Sequence, residues 1–423
     1  MNVLIVGSGG REHALAWKIS QSPLLGKLYC APGNPGTATC ATNLPVDPSC
    51  FEEVKKWVLR YDISMVVVGP EEPLVMGIAD YFASDPELSN CFVVGPKRAG
   101  AQLEGSKDFA KAFMKRHQIP TASYASFTTA QTEEAVAWLS KVKAPYVLKA
   151  DGLAAGKGVV ILSDLEEAER EVRAILGGKF GRAGSKIVIE EFLEGIELSV
   201  FFLSDGKSYM ILPQAKDYKR IGEGDTGLNT GGMGAVSPVP FADELFLNKV
   251  EERIIRPTVV GLESEQIDYK GFVFAGLINC QGEPYVIEYN VRMGDPETEV
   301  VMPRIQNDFL ALLIALSNGT LSQQELVISP NFALTVMMVS GGYPQEYQKG
   351  YPIEGLESVK EDALVFHAGT KCADDRVVTS GGRVLALTVM NDSLPKARRK
   401  AYRLLDSVRF EHAYFRRDIG NDL

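Results

Sequence analysis

Short runs of apolar residues alternate with helix-like stretches over roughly the first hundred residues. Each run is long enough for one strand and ends near glycine or proline, and the stretches between the runs carry apolar side chains at helical spacing. Strands that alternate with helices in this way predict a parallel, doubly wound sheet. The apolar runs are residues 3–6, 28–31, 65–68 and 92–94.

A different pattern begins at Ser106, which suits the N-cap of a helix because its hydroxyl can accept a hydrogen bond from a free main-chain N–H. Asp108 would then lie in the first turn, where a carboxylate opposes the positive end of the helix dipole. Strand-like runs follow, and two of them flank Gln281 and Gly282, a pair that favours a hairpin turn. The predicted strands are residues 146–150, 159–162, 187–192, 199–203, 272–278 and 285–289.

A third pattern follows residue 326. Residues 333–339 and 384–389 are predicted strands, and residues 395–405 form a basic helical stretch. These elements predict a small α+β unit. At 423 residues the chain is longer than one hydrophobic core ordinarily supports, so several domains are expected.

The net charge of the chain bears on which kinds of molecule it can bind. Lys and Arg total 44 against 54 Asp and Glu, a formal net charge of −10. A general nucleic-acid binder usually carries a basic face, so no nucleic-acid partner is expected. Anionic substrates remain compatible with this charge, but local donors must then meet their phosphates.

The six cysteines form no CxxC pair and the histidines number four, so neither a disulfide framework nor a zinc site is predicted. No apolar run approaches the roughly 18 residues of a membrane span. The first residues enter a strand-like run without a basic leader, so no signal peptide is predicted. We expect a cytoplasmic protein with reduced thiols and no membrane partner.

The first candidate site is the turn that contains Gly7, Gly9 and Gly10. Such a turn after a first strand can present N–H groups to a phosphate at a helix N-terminus. The dinucleotide fingerprint requires a third glycine where this chain has Glu12, so a nicotinamide site is only one alternative. A turn without ligand is another, and a different phosphate ligand, assisted by Arg11, is the third.

A second candidate is the loop of small residues at 150–158, which follows a predicted strand. Lys149 stands at the end of that strand and Lys157 lies between Gly156 and Gly158. A loop of this kind can fold over a triphosphate with its N–H groups and two ammonium groups. It is not a Walker A motif, and the alternative is a surface hairpin with solvated lysines.

A third candidate is the predicted strand that leads into Glu288, Asn290 and Arg292. Alternate residues of a strand share a face, so these three side chains are predicted to point together. A carboxylate and an amide oxygen are ligands suited to Mg²⁺ beside phosphates. The alternative is an edge strand with solvated polar residues.

A fourth candidate combines Asp217 and Lys219 with the glycine-rich residues 229–234. Basic residues and a glycine-rich turn suit recognition of an anionic acyl group. Taken alone, the segment is almost as well explained as an ordinary ordered loop.

Together these segments resemble the phosphoribosylamine–glycine ligases of purine synthesis, which belong to the ATP-grasp superfamily. The resemblance covers essentially the whole chain in order, and residues 229–234 (NTGGMG) and 292–297 (RMGDPE) are its most diagnostic pieces. It implies a Rossmann-like N-terminal domain at residues 1–103 and an ATP-grasp domain at residues 104–326 with a mobile lid near residues 121–189. A small α+β domain at residues 327–423 completes the α/β and α+β multidomain class.

The resemblance also implies a reaction: ATP, glycine and 5-phosphoribosylamine give glycinamide ribonucleotide, ADP and phosphate. The cofactor is expected to be Mg²⁺ or Mn²⁺, with ATP as co-substrate, and the protein a monomer or a weak dimer. A bicarbonate-dependent ATP-grasp enzyme, a nicotinamide-dependent oxidoreductase and a nucleotide-sensing module are the rival interpretations. Glu223, Val236 and Met293 depart mildly from the family pattern.

Each predicted site residue receives a role from this resemblance or from the candidates above. The predicted ATP contacts are Lys107, Lys149, Gly156, Lys157, Glu191, Phe192, Leu193 and Glu197. The predicted phosphoribosylamine contacts are Gly9, Gly10 and Arg11, the glycine contacts are Asn229, Gly231 and Asp295, and the metal ligands are Glu288 and Asn290. The predicted catalytic residues are Arg292, Lys219 and Asp217.

Overall fold

The computed structural model describes residues 1–153, 158–359 and 361–423. The chain begins with the predicted parallel sheet, in strand order β3-β2-β1-β4-β5, so that prediction is confirmed. The strands are β1 (Asn2–Gly7), β2 (Leu28–Pro32), β3 (Thr42–Asn43), β4 (Ile63–Val68) and β5 (Phe92–Val94). The helices here are α1 (Gly10–Ile19), α2 (Phe51–Arg60), α3 (Glu71–Met76), α4 (Ile78–Ser84) and α5 (Arg98–Gly105).

A second, antiparallel sheet with strand order β6-β9-β7-β8 packs on its own helices. Its core is a separate cluster that includes Phe127, Leu148 and Ile189. The preceding helix begins as predicted, because Ser106 Oγ accepts from the Phe109 N–H at 3.1 Å. The elements are α6 (Lys107–Arg116), β6 (Tyr124–Thr128), α7 (Thr132–Leu139), β7 (Tyr146–Ala150), β8 (Val159–Leu162), α8 (Leu165–Ala174) and β9 (Lys186–Glu190).

A third sheet, in the order β11-β10-β16-β17, carries the predicted hairpin. Gln281 and Gly282 both have positive φ, 55° and 87°, as a two-residue hairpin turn requires. The strands of this region are β10 (Ile196–Ser204), β11 (Tyr209–Ile211), β12 (Lys216–Asp217), β13 (Arg220–Gly222), β14 (Thr226–Asn229), β15 (Gly234–Ser237), β16 (Gly271–Cys280) and β17 (Glu283–Asn290). The helices are α9 (Glu244–Val250), α10 (Arg256–Ser264), α11 (Thr298–Arg304) and α12 (Phe309–Asn318).

The C-terminal strands share their sheet with strands from another part of the chain. Their sheet has the order β12-β15-β18-β22-β19, so two strands from the middle of the chain extend it. That sheet places the glycine-rich segment before β15 against C-terminal residues. The elements are β18 (Phe332–Val339), α13 (Leu356–Val359), β19 (Leu364–His367), β20 (Thr370–Ala373), β21 (Arg376–Thr379), β22 (Arg383–Asn391) and α14 (Leu394–Leu405). Among the described residues, no helix is both long and apolar enough to span a membrane.

Candidate active site

Two polar side chains lie on one face of the last strand of the third sheet. Glu288 and Asn290 are alternate residues of β17, so they project in the same direction. Gly276 faces Glu288 across the strand pair, and a Cβ there would lie 3.2 Å from Glu288 Cγ. The Glu288 carboxylate forms no hydrogen bond or ion pair with any described residue. It is therefore free to bind a ligand.

Four cationic side chains determine the charge of Glu288. Burial by itself would raise the pKa of this carboxyl group, but Lys219, Lys149, Lys107 and Arg292 together lower the pKa below its ordinary value. The group is therefore a carboxylate at neutral pH. A carboxylate surrounded by cations with which it does not pair is suited to a metal ion shared with phosphate oxygens.

These two side chains fit a hard divalent cation. Glu288 offers a carboxylate oxygen, and the buried Asn290 offers an amide oxygen. Over the same residues, no three His, Cys, Asp or Glu side chains form a possible metal cluster. The protein would thus supply few ligands, as is usual for Mg²⁺ whose octahedron is completed by phosphates and water.

A buried network of two lysines and one glutamate holds Lys149. Its Nζ lies 2.9 Å from Glu190 Oε1, and Lys111 Nζ lies 2.9 Å from Glu190 Oε2. Lys149 also donates to the Ile287 carbonyl at 3.2 Å. Burial lowers the pKa of Lys111 to about 8, against the opposing effect of Glu190. Two ammonium groups therefore share the Glu190 carboxylate, and Lys149 is held where its charge acts on Glu288.

The base of the 150–158 loop is tied to the start of α6. Asp151 Oδ1 accepts hydrogen bonds from Ser106 Oγ at 3.0 Å and from the Asp108 N–H at 2.7 Å. Lys107 Nζ donates to the Gly152 carbonyl at 3.2 Å. These contacts hold Lys107 and the loop base in a fixed relation. Both Gly156 and Lys157, the other predicted contacts in this loop, lie outside the described residues.

The segment after β9 leaves main-chain groups without partners. The Glu191 N–H donates to the Ser123 carbonyl at 3.0 Å, and Glu191 Oε1 accepts from the Ser123 N–H at 2.8 Å. The peptide groups of Phe192 and Leu193 form no hydrogen bond to any described residue, and Phe192 is 43% exposed. Accessible main-chain donors and acceptors beside an exposed ring suit a planar heterocycle such as adenine.

Glu197 is paired with Lys219. Glu197 Oε2 and Lys219 Nζ are 2.6 Å apart, and both side chains are about half exposed. Burial of Lys219 would lower its pKa, but Glu197, Glu288 and Asp217 raise the pKa above its ordinary value. Lys219 therefore remains charged, and its charge acts on both Glu288 and Asp217.

Four acidic side chains converge beside Lys219. Asp217 and Glu299 each have a buried carboxylate oxygen without a partner among the described residues. Asp295 Oδ1 lies 3.0 Å from Arg383 Nη2, and Glu297 accepts from Ser199 Oγ at 2.8 Å. Burial is the main cause that raises the pKa of Asp217, and Glu297 raises it further. Unpaired acceptor oxygens suit a ligand with several N–H donors, such as an ammonium group.

Glu299 is the most deeply buried of these acids. Its side chain is completely buried, and neither carboxyl oxygen has a partner in the described chain. A Cβ added to Gly10 would lie 2.3 Å from Glu299 Oε1, so α1 packs directly on this carboxyl group. Burial, with Asp295, raises the pKa of Glu299 well above its ordinary value of 4.5. The neutral form of this carboxyl group is therefore favoured more strongly than in an exposed glutamate.

Glu299→Gln is expected to increase stability progressively as the pH rises above 4.5. The unfolded wild type releases the Glu299 proton in that range while the folded state keeps it, so wild-type stability falls by up to about 1.4 kcal/mol per pH unit from this group. Glutamine does not titrate and avoids that loss. Urea unfolding at pH 5 and pH 8 measures the difference. The exposed Glu325→Gln is the control, and an equal change at both pH values would contradict a neutral Glu299.

The first glycine turn is partly filled by Glu12. The Gly9 N–H donates to Glu12 Oε2 at 2.5 Å, and Arg11 Nε lies 2.6 Å from Glu12 Oε1. Arg11 also donates to the Met293 carbonyl at 3.3 Å. A carboxylate in this position repels a pyrophosphate, which disfavours the nicotinamide interpretation. The N–H groups of Gly10 and Arg11 at the start of α1 are left for a single phosphate.

β17 is shorter than the predicted strand, which ran through Arg292, so strand alternation does not itself place Arg292 on the face of Glu288 and Asn290. The strand ends at Asn290, because the next N–H, that of Val291, donates to Glu104 Oε2 at 2.8 Å. Arg292 Nη2 then lies 2.7 Å from Glu104 Oε1. The guanidinium still contributes to the charge around Glu288.

Family models of phosphoribosylglycinamide synthetase match nearly the whole chain: the N domain at residues 1–104, the ATP-grasp (A) domain at residues 105–298 and the C domain at residues 333–422. The phosphoribosylamine–glycine ligase of Pseudomonas aeruginosa is 46% identical over 425 residues, which cover 99% of this chain and 97% of that protein. The chain belongs to the phosphoribosylamine–glycine ligase family. The Salmonella typhimurium ligase is likewise 46% identical, over 427 residues that cover 99% of this chain and 98% of the relative.

A solved structure from the phosphoribosylamine–glycine ligase family has the same overall fold. The enzyme of Thermotoga maritima is 37% identical and superposes with a TM-score of 0.86, covering 99% of this chain and all of the other. A biotin carboxylase domain of Hydrogenobacter thermophilus, solved with MgADP, is 17% identical with a TM-score of 0.70 and covers 98% and 91% of the two chains. At that identity the likeness shows the fold alone.

In this member of the phosphoribosylamine–glycine ligase family, some predicted site residues lie close to Glu288 or Asp217, and others do not. Lys107, Lys149 and Lys219 surround Glu288 electrostatically, and a Cβ at Gly232 would lie 2.8 Å from Asp217 Oδ1, which places the 229–234 loop beside the acids. By contrast, Asn229 is exposed at the end of β14.

Several residues of the site were not predicted from the sequence. Lys111 follows Lys107 by four residues on α6, so helical spacing indicated a shared face. Glu190 and Arg383 lie in segments that carry the family resemblance but were given no role there, and Tyr343 carries no local signal. The partners of all three lie in distant segments.

Proposed function

We propose that this chain is an ADP-forming ligase that joins glycine to 5-phosphoribosylamine and yields glycinamide ribonucleotide and phosphate. The observation that carries the proposal is the unpaired Glu288 carboxylate beside Asn290, amid four cations. It stands in a chain that is 46% identical to the Pseudomonas aeruginosa phosphoribosylamine–glycine ligase over 99% of its length.

The chemistry needs activation of glycine. A carboxylate is a poor electrophile, because its oxygen is a poor leaving group. Transfer of the ATP γ-phosphoryl group to the glycine carboxylate gives glycyl phosphate, and attack by the amine of phosphoribosylamine then expels phosphate. Positioning and neutralisation of charge are the main contributions that a protein can make to such steps.

The nucleotide would lie between the second and third sheets. The free peptide groups of Phe192 and Leu193 would receive adenine, with Glu191 holding that segment. Lys107 and Lys149 would neutralise the phosphates. Glu288 and Asn290 would hold Mg²⁺ or Mn²⁺, which would withdraw charge from the phosphate oxygens. Glu197, Gly156 and Lys157 are proposed as further ATP contacts.

The acceptor would lie on the other side of Glu288. The buried, unpartnered Oδ1 of Asp217 suits a group that would accept a proton from the attacking amine. Lys219 and Arg292 would balance the charge of the transferring phosphoryl group. The glycine contacts proposed are Asn229, Gly231 and Asp295, and the phosphate contacts proposed for phosphoribosylamine are Gly9, Gly10 and Arg11.

A separate body would close over this site. Residues 121–189 contain a sheet with its own hydrophobic cluster, which supports a lid that moves as a unit and keeps water from the acyl phosphate. We propose this lid within an ATP-grasp domain at residues 104–326, between domains at residues 1–103 and 327–423. We also propose a cytoplasmic monomer or weak dimer, with no nucleic-acid or membrane partner.

ADP release is the decisive measurement for this function. Purified protein is given Mg-ATP, freshly prepared phosphoribosylamine, and either glycine or bicarbonate. We expect turnover that requires glycine and phosphoribosylamine together, with one ADP for each glycinamide ribonucleotide. Turnover with bicarbonate alone would indicate a carboxylase of the same fold. Folded protein that binds ATP without turnover would indicate a sensing module.

A further inference from the structure

A single glycine of the 229–234 loop is held through both of its main-chain groups by C-terminal side chains. The Gly231 N–H donates to Tyr343 Oη at 3.0 Å, and the Gly231 carbonyl accepts a hydrogen bond from Arg383 Nη1. Both partners lie more than 110 residues further along the chain. The loop is therefore anchored by C-terminal residues and not only by its own sheet.

The same guanidinium holds a second segment of the candidate site. Arg383 Nη1 donates to the Asp295 carbonyl at 2.7 Å, and Arg383 Nη2 lies 3.0 Å from Asp295 Oδ1. Arg383 thus joins Gly231 to Asp295. A planar guanidinium has several N–H donors in fixed directions and can make these contacts at once. An ammonium group lacks this planar, bidentate arrangement of donors.

The loop that Arg383 and Tyr343 hold also packs closely against Asp217. A Cβ at Gly231 would lie 2.9 Å from Arg383 Cζ, so the loop backbone rests directly on the guanidinium. Gly232 has φ +115°, and a Cβ there would lie 2.8 Å from Asp217 Oδ1 and 2.4 Å from Pro296 Cδ. A shift of Gly231 would consequently displace the backbone that borders the unpaired Asp217 oxygen.

Tyr343 is itself held in place beside Arg383. A Cβ at Gly382 would lie 2.2 Å from Tyr343 Cδ2, so the ring packs directly against that glycine. The Tyr343 N–H donates to the Ser340 carbonyl at 3.1 Å, and the Ser340 N–H donates to the Gly382 carbonyl at 2.7 Å. These contacts fix the Tyr343 ring, and so the position of the hydroxyl that accepts the Gly231 N–H.

We propose that Tyr343 and Arg383 are positioning residues that hold the 229–234 loop and Asp295 in register, and so determine how tightly glycine is bound beside Asp217. This inference rests on the proposed function, because it takes these two segments as the glycine site. Neither side chain is assigned to the chemistry, and the nucleotide contacts at Lys107 and Lys149 are made by other segments.

The test compares Tyr343→Phe with wild type in the glycine-dependent ADP-release assay. Loss of one hydrogen bond is expected to raise the KM for glycine about five-fold. The KM for ATP should stay within two-fold of wild type, and the midpoint of thermal unfolding should not change. Tyr347→Phe is the matched control, since that neighbouring ring contacts Tyr343 at its edge and has no bond to Gly231.

Arg383→Lys separates charge from geometry. Lysine keeps the positive charge between Asp295 and Gly231 but lacks the fork, so we expect a larger increase in the glycine KM, of at least ten-fold, and ADP formed in excess of product. A purely structural role would instead lower the unfolding midpoint and change the KM values for glycine and ATP together.

The outcomes are distinct. Glycine KM values within two-fold of wild type in both variants, with an active wild type, would overturn the positioning role and leave the proposed function intact. Equal increases for ATP and glycine would also overturn it. A wild type without glycine-dependent turnover would overturn the proposed function, and this inference with it.

Discussion

Glu288→Ala is expected to lower kcat about 10²- to 10³-fold and to abolish the saturable dependence of turnover on Mg²⁺ in the millimolar range. Glu288 is the carboxylate around which Lys107, Lys149, Lys219 and Arg292 are arranged, and it pairs with none of them within the described residues. Its removal takes away an oxygen ligand and leaves four cations without their shared anion. ADP release measured against Mg²⁺ concentration tests both parts.

Glu283→Ala provides the control on the same strand. Glu283 begins β17 and pairs at the surface with Lys249 and Arg253, contacts that contribute little to stability. We expect near-normal turnover from this variant. Metal-dependent turnover in Glu288→Ala that matches the Glu283→Ala control would remove Glu288 from the metal site.

Lys149→Met is expected to raise the KM for ATP about ten-fold and to lower kcat about 10²-fold, because charge-assisted contacts to phosphate are lost where charge develops in the transition state. Lys149 is buried, and its ammonium group lies between Glu190 and the Ile287 carbonyl. Methionine retains most of the volume, so the change should act chiefly through charge. Steady-state kinetics with ATP and with glycine varied separately measure the effect.

Two further variants make the Lys149 prediction specific. Lys143 is exposed and lies just before β7, the strand that carries Lys149. The Lys143→Met variant should therefore behave as wild type. Lys111→Met removes the other partner of Glu190, and we expect a smaller increase in the ATP KM, since Lys149 still reaches the phosphates. An unchanged ATP KM in Lys149→Met, with unfolding as in wild type, would contradict the proposed phosphate contact.

The local structure was largely predictable because it depends on neighbours in the chain. Ser106 caps α6 through the N–H of the residue three positions later, and Gln281 with Gly282 provides the positive φ values that the hairpin needs. β7 (Tyr146–Ala150) begins and ends at the predicted residues. In each case the pattern of side chains and the stabilising contact lie within a few residues.

The candidate site was predictable where one motif contains the chemistry. Glu288 and Asn290 share a face because residues 288–290 pair in unbroken register with residues 276–274, although the pairing shifts just before Glu288. The alternation does not extend to Arg292 because the strand ends two residues earlier, where Glu104 accepts the Val291 N–H. Glu104 is 187 residues away in the chain, so no local pattern indicated this interruption.

The sequence by itself determined the strand and helix patterns and the motifs that carry carboxylates, lysines and glycines, since these follow from periodicity and short-range spacing. The family resemblance, which rests on the order of those motifs along the chain, implied the α/β and α+β multidomain class. Only the tertiary structure decided which distant groups come into contact. Lys111 and Lys149 both pair with Glu190, and Arg383 bonds to the Gly231 carbonyl and pairs with Asp295. Glu299 is fully buried against Gly10. Burial and proximity determine the pKa of an acid and the geometry of a loop. Both arise from packing between distant segments, which one-dimensional spacing does not encode.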